Sequence, residues 1–214
     1  KVYGNSDPTP FTYTVGGDGL ASWDQFSGAP DRESGEDVGT YEIQKGTLTI
    51  AEMVEGSEVN RENNYTVTYT PADFTITTRP ITLVADDQTK TYGDATFDLG
   101  NTAFTVSDAQ GDGMASGESI ATVTLTSSGT AEYADVGNYP ISISDAAASS
   151  GADLNNYDIS YQTGTLTVGQ RTLTLSGFAA TDKVYDGTTD VTGTGFVDDR
   201  KTGDILSFSY DVAF

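Results

Sequence analysis

Carboxylates crowd two of the lysines in this chain. Asp86 and Asp87 come just before Lys90 and Asp94, and Asp182, Asp186 and Asp190 surround Lys183. Loop carboxylates brought together in this way suit Ca²⁺, which takes hard oxygen ligands in a flexible shell. Asp86, Asp87, Asp182 and Asp186 are therefore the candidate calcium ligands. No Asp-x-Asp-x-Asp-Gly loop with a distal Glu accompanies them, and carboxylates solvated on an acidic surface explain the same residues. Paired carboxylates also serve glycoside hydrolysis when they face each other across a cleft. The chain has no histidine and no cysteine, so the commonest general base and the readiest nucleophile are missing. The sequence predicts no enzyme and no resident cofactor beyond the Ca²⁺ candidate. Trp23, the one tryptophan, is either a core or loop-anchoring aromatic or a platform for a ligand such as a sugar.

The lysines belong to a recurring turn: Lys1-Val-Tyr3-Gly4, Lys90-Thr-Tyr92-Gly93 and Lys183-Val-Tyr185-Asp-Gly187. Gly4, Gly93 and Gly187 suit a left-handed backbone. Tyr3, Tyr92 and Tyr185 are expected to pack under a sheet edge. An exposed salt bridge from the lysine to nearby aspartates would contribute about 0–1 kcal/mol.

Other landmarks recur in the same order. Gly17-Asp-Gly-Leu20 matches Gly111-Asp-Gly-Met114, with Thr202-Gly-Asp-Ile205 as a weaker third copy. Val38-Gly-Thr-Tyr41 matches Val136-Gly-Asn-Tyr139, and Asn63-Asn-Tyr65 matches Asn155-Asn-Tyr157. The period is about 90 residues, long for a solenoid unit and right for a small autonomous domain.

The elements that carry these landmarks read as strands. Tyr65-Thr-Val-Thr-Tyr69, Phe74-Thr-Ile-Thr77, Ile81-Thr-Leu-Val84 and Thr172-Leu-Thr-Leu175 alternate apolar residues with threonine. So do the segments at 120–126, 139–144, 157–161 and 165–168. Alternation puts one apolar row on a core and one polar row in water. Gly, Asn and Asp break the runs as turns do. A short helical turn is expected at most around 52–60. The expected fold is all-β, with tandem immunoglobulin-like antiparallel β-sandwich modules end to end.

Domain boundaries fall near Thr78/Arg79 and Gln170/Arg171, where one alternating run passes almost directly into the next. The modules are 1–78, lacking its first strand; 79–170, complete; and 171–214, the first half of a unit. Such short linkers restrict bending, and Pro80 stiffens the first of them. Three readings fit the two incomplete ends: a window on a longer array, part of a larger ordered protein, or modules completed by a strand from another chain.

The Lys-x-Tyr-Gly turns, Lys183-Val-Tyr-Asp-Gly-Thr-Thr-Asp190, the Gly-Asp-Gly segments and the Val-Gly-x-Tyr and Asn-Tyr strands resemble the MBG/YDG bacterial immunoglobulin-like repeats. The first two modules resemble the MBG type and 171–214 the start of a YDG type. The resemblance implies β-sandwich modules of large surface adhesins and filamentous haemagglutinin-like proteins, extracellular or at the cell surface, with no catalytic signature. It implies a structural stalk, or else modules that themselves adhere, or a filament built by strand exchange.

The charge bears on partners. Ten basic residues face 32 acidic ones, a net charge of −22, which repels nucleic acid. No apolar run is long enough for a membrane span. The expected partners are adjacent modules of the same chain, identical subunits in a fibre, or a host or environmental glycan or protein.

Overall fold

A computed structural model describes residues 1–108, 113–149, 151–177, 179–180, 182–189, 193–194 and 196–207. Asp190, the Gly111-Asp112 pair and the chain from 208 onward lie outside the described residues. The described regular structure is all β, apart from single 3₁₀ turns at Glu62–Asn64, Ser128–Thr130 and Leu154–Asn156.

The first module contributes β1 (Asp24–Ser27), β2 (Asp31–Arg32), β3 (Gly39–Gln44), β4 (Thr49–Val54), β5 (Ser57–Asn60) and β6 (Ala72–Ile76). They form two antiparallel sheets, β1-β4-β5 and β2-β3-β6. Threonine alternation does what it should: Phe74 and Ile76 on β6 are buried while Thr75 is exposed. The Lys1-Val-Tyr3 stretch lies parallel to the end of this module, with a Val2–Thr77 bridge and a hydrogen bond from the Tyr3 amide to the Thr77 carbonyl.

The second module supplies β7 (Arg79–Ala85), β8 (Gln88–Thr91), β9 (Phe104–Asp108), β10 (Ile120–Thr126), β11 (Gly137–Ala148), β12 (Tyr157–Gln162) and β13 (Gly164–Gly169). Its sheets are β12-β7-β9 and β10-β11-β13-β8. β7 is central in the first, with Ile81 and Leu83 almost fully buried. β13 is flanked by β11 and β8 in the second. The pairs β7–β12 and β8–β13 are parallel, so these sheets are mixed where purely antiparallel ones were expected. The Tyr92 amide bonds the Gly169 carbonyl, as Tyr3 bonds Thr77, so the parallel closure recurs in both modules. Beyond it lie the short strands β14 (Leu175–Ser176), β15 (Ala179–Ala180), β16 (Gly193–Thr194) and β17 (Val197–Asp198), paired β14–β17 and β15–β16.

By contacts the chain forms two compact units. One comprises Lys1–Ala85, Asn101–Leu125 and Ile143–Thr163; the other comprises Asp86–Gly100, Thr126–Ser142 and Gly164–Phe214. The first unit therefore unites the first module with β7, β9 and β12. One core cluster in this unit is built on Tyr3, Phe74, Ile76, Ile81 and Tyr157.

Three local expectations change. The 52–60 stretch is no helical turn but the β4–β5 hairpin, closed by Glu55 and Gly56 at φ 52° and 82°. The alternating run at 65–69 forms no strand. Its counterpart β12 pairs with β7, and 1–78 contains no equivalent of β7, so its backbone has no ladder to join. Of the run at 172–175, only Leu175 enters a strand.

Candidate functional site

The residues of the repeated turn gather at the two boundaries, and each boundary is built inside one compact unit. At the first, Tyr3 is buried and its hydroxyl donates to the Glu118 carboxylate of the second module at 2.6 Å. The Tyr157 hydroxyl donates to the other Glu118 oxygen and accepts from the Ala115 amide at 3.0 Å. The two tyrosine rings meet edge to face, with centroids 5.5 Å apart. Glu118 ends a tight turn, Ala115-Ser-Gly-Glu118, closed by a hydrogen bond from the Glu118 amide to the Ala115 carbonyl. The bond to Glu118, with burial behind it, pushes the Tyr3 phenol up to about 12. Burial first, and the same carboxylate second, push Tyr157 up as well.

Gly4 sits against this turn at φ 79°. A Cβ there would lie 2.7 Å from the Ala115 Cβ, so glycine is required twice over, by backbone and by space. Arg79 is buried and donates to the carbonyls of Gly113 and Tyr3 and to the Asn5 side chain. Asn156 is 3% exposed and grips the first module from the other side. It donates to Asp37 and accepts from the Val38 amide, each at 2.8 Å.

The second boundary repeats the core of this arrangement. The Tyr92 hydroxyl donates to Asp204 at 2.7 Å, which raises the Tyr92 pKa. Asp204 ends the turn Lys201-Thr-Gly-Asp204, closed from the Asp204 amide to the Lys201 carbonyl. Gly93, at φ 77°, faces Lys201, whose Cγ would stand 3.2 Å from an added Cβ. Lys201 also pairs with Glu132 at 2.6 Å, and Tyr133 donates to the Thr202 carbonyl.

The sequence reading missed Glu118, Asp204 and Asn156. It matched Thr202-Gly-Asp-Ile205 to the Gly-Asp-Gly segment, whereas the turn geometry matches it to Ser116-Gly-Glu-Ser119. The signal was a small or lysine residue, then Ser/Thr-Gly, then an acid.

Other candidates lie elsewhere. Tyr185 is 91% exposed, unlike Tyr3, and Gly187 has φ 82°. Trp23 is 80% exposed, which overturns its reading as a core aromatic. It sits in the turn Ala21-Ser-Trp-Asp24, closed as the other two are, where the others carry Gly117 and Gly203. Asp87 caps the Thr165 amide at 2.7 Å, and Asp186 pairs with Lys183 and caps Thr188. Asp86 is partly buried and Asp182 exposed. Among the described residues no three carboxylates converge as a metal site would require. The lysines differ. Lys1 pairs with Asp7 and Glu36, and Arg32 bridges the same two acids. Lys90 is buried and donates to the Ala131 and Thr130 carbonyls.

The profile of the MBG domain (YGX type) family matches residues 1–75 and again 81–167. No curated protein and no solved structure matches the chain.

Proposed function

The chain belongs to the MBG domain (YGX type) family, and on that footing we propose that its modules are a non-enzymatic stalk of a bacterial extracellular or surface protein. The family is one of extracellular repeat modules in adhesin-like proteins. The observation that carries the stalk reading is the recurring boundary: a tyrosine of one module bonds an acid of the next at 2.6 Å and again at 2.7 Å. A joint that repeats its own chemistry limits bending and turns module number into reach. Net charge of −22 keeps such an array soluble and self-repelling. No helix among the described residues is long and apolar enough to cross a membrane. Small-angle X-ray scattering of the chain against Glu118→Ala and Asp204→Ala tests the reading. It expects a broadened distance distribution in both variants, and unchanged profiles would sink it.

Trp23 favours a second reading, in which the first module itself contacts a glycan or protein. Its indole is exposed on a hydrogen-bonded turn, as stacking on a sugar requires. Indole fluorescence titrated with a glycan panel checks this, against Trp23→Ala.

A further inference from the structure

We propose that the first boundary is a site of oxidative crosslinking, where Tyr3 and Tyr157 couple into a dityrosine that joins the two modules covalently, with hydrogen peroxide acting through a haem peroxidase as the oxidant. The placement of the two rings suits that bond. They already meet edge to face, at 76° with centroids 5.5 Å apart. The carbons that couple lie beside each hydroxyl, so the hydroxyl-bearing edges must be the ones that approach. Glu118 brings them together, because the two hydroxyls donate to different oxygens of its one carboxylate. A phenol also gives up its electron most readily where its proton has a base to go to, and a positioned carboxylate is such a base. Glu118 is half-buried and its turn neighbours Ser116 and Gly117 are exposed, so the proton has a way out to water.

Each phenol loses one electron to the oxidant and its hydroxyl proton to Glu118, which hands the first proton to water before it takes the second. The two phenoxyl radicals then form a carbon–carbon bond between their ortho positions, and the two ortho hydrogens move to the oxygens and restore the phenols. The two electrons and two protons turn one hydrogen peroxide into two waters. Held in contact, the radicals are spared the encounter that two free phenols would need.

The peroxidase need not touch the buried pair. Tyr161 is 44% exposed and stands four residues along β12 from Tyr157, roughly 13 Å at the rise of a strand. A radical formed there draws an electron from Tyr157 or Tyr3, whose proton leaves at once to Glu118. The second boundary lacks this arrangement. Asp204 accepts from Tyr92, but Tyr133 donates to the Thr202 carbonyl instead, so no second phenol shares the acid. Coupling Tyr3 to Tyr157 closes a long loop of chain, which constrains the unfolded state. A stalk does not require such a bond, and the coupling does not rest on the stalk reading.

Hydrogen peroxide and a haem peroxidase applied to the full 214-residue chain test it, read by dityrosine fluorescence and by mass spectrometry of linked peptides. A monomer carrying a Tyr3–Tyr157 link is expected, with a raised melting temperature. Tyr3→Phe should abolish that link, and Tyr185→Phe should leave it, although Tyr185 is 91% exposed. Glu118→Gln, its fold checked by circular dichroism, should slow the link on the order of a hundredfold. Links confined to the exposed tyrosines of the unsubstituted chain overturn the proposal. So does a Tyr3–Tyr157 link that forms as fast in folded Glu118→Gln.

Discussion

Tyr3 and Glu118 are 115 residues apart in sequence and 2.6 Å apart in space, and that bond joins the first module to the second. Because the acceptor is a carboxylate, the bond is stronger than a neutral one. Tyr3→Phe removes it without disturbing the ring contact with Tyr157. The expected loss is about 1.5–3 kcal/mol of stability in chemical denaturation. Glu118→Ala should cost more, since it strips two tyrosine hydroxyls of their acceptor.

Gly4→Ala should destabilise the chain more than Gly93→Ala. Both sit at positive φ, which costs a non-glycine residue about 1–2 kcal/mol. Only Gly4 faces a Cβ at 2.7 Å; Gly93 faces the movable stem of Lys201. Pairing Gly4→Ala with Ala115→Gly should return the steric part and leave the backbone part. Thermal melts of the four proteins resolve the two.

Raising pH should loosen the first boundary. Tyr3 is raised from the ordinary phenol value to about 12, so the folded state favours its protonated form. That stability is full below about pH 10, the unfolded value, and is lost as pH climbs through 12. Stability followed across this range should fall less steeply in Tyr3→Phe, with the remaining slope due to Tyr157, whose phenol is raised as well.

Acid acts elsewhere. The Arg32 guanidinium first, and Lys1 next, hold Asp7 below the usual carboxylate range, and Lys1 does most for Glu36. Both groups favour their charged form when folded. Their contribution is present above the ordinary carboxylate values and disappears as pH falls below them. Asp7→Asn should flatten the acid limb of the stability curve.

Asn156→Ala should cost about 1–3 kcal/mol, because the Val38 amide loses its acceptor and the Asp37 carboxylate a donor. Asn64→Ala, at the matching but exposed place in the first module, should change stability little. EDTA should leave the melting temperature unchanged, since Asp87 and Asp186 already have protein partners.

Much of the fold was legible because threonine alternation states which face is buried: β6, β7 and β13 follow the written pattern. The run at 65–69 was misread for the opposite reason. Its pattern is correct, but a strand is a pair property, and the partner is not in 1–78. The glycines of the repeated turn were legible from local chemistry. Glu118 and Asp204 were not, because an acid in so acidic a chain carries no mark of its partner. Only the spatial approach of Tyr3 and Tyr92 singles them out. The sequence left Trp23 open between a core or loop-anchoring aromatic and a ligand platform; only its place on a turn whose matching positions are Gly117 and Gly203, with its side chain exposed, removes the core reading.

β7 and β13 are the strands through which the second module continues into its neighbours, and each is interior to its sheet, hydrogen-bonded on both edges. Tension applied along the polypeptide must therefore slide each of them against two neighbours at once. The ladder bonds are then loaded together in shear and rupture as a group, instead of being unzipped one after another. Resistance to pulling is a matter of the unfolding rate under load, and a module anchored by interior strands is arranged to keep that rate low.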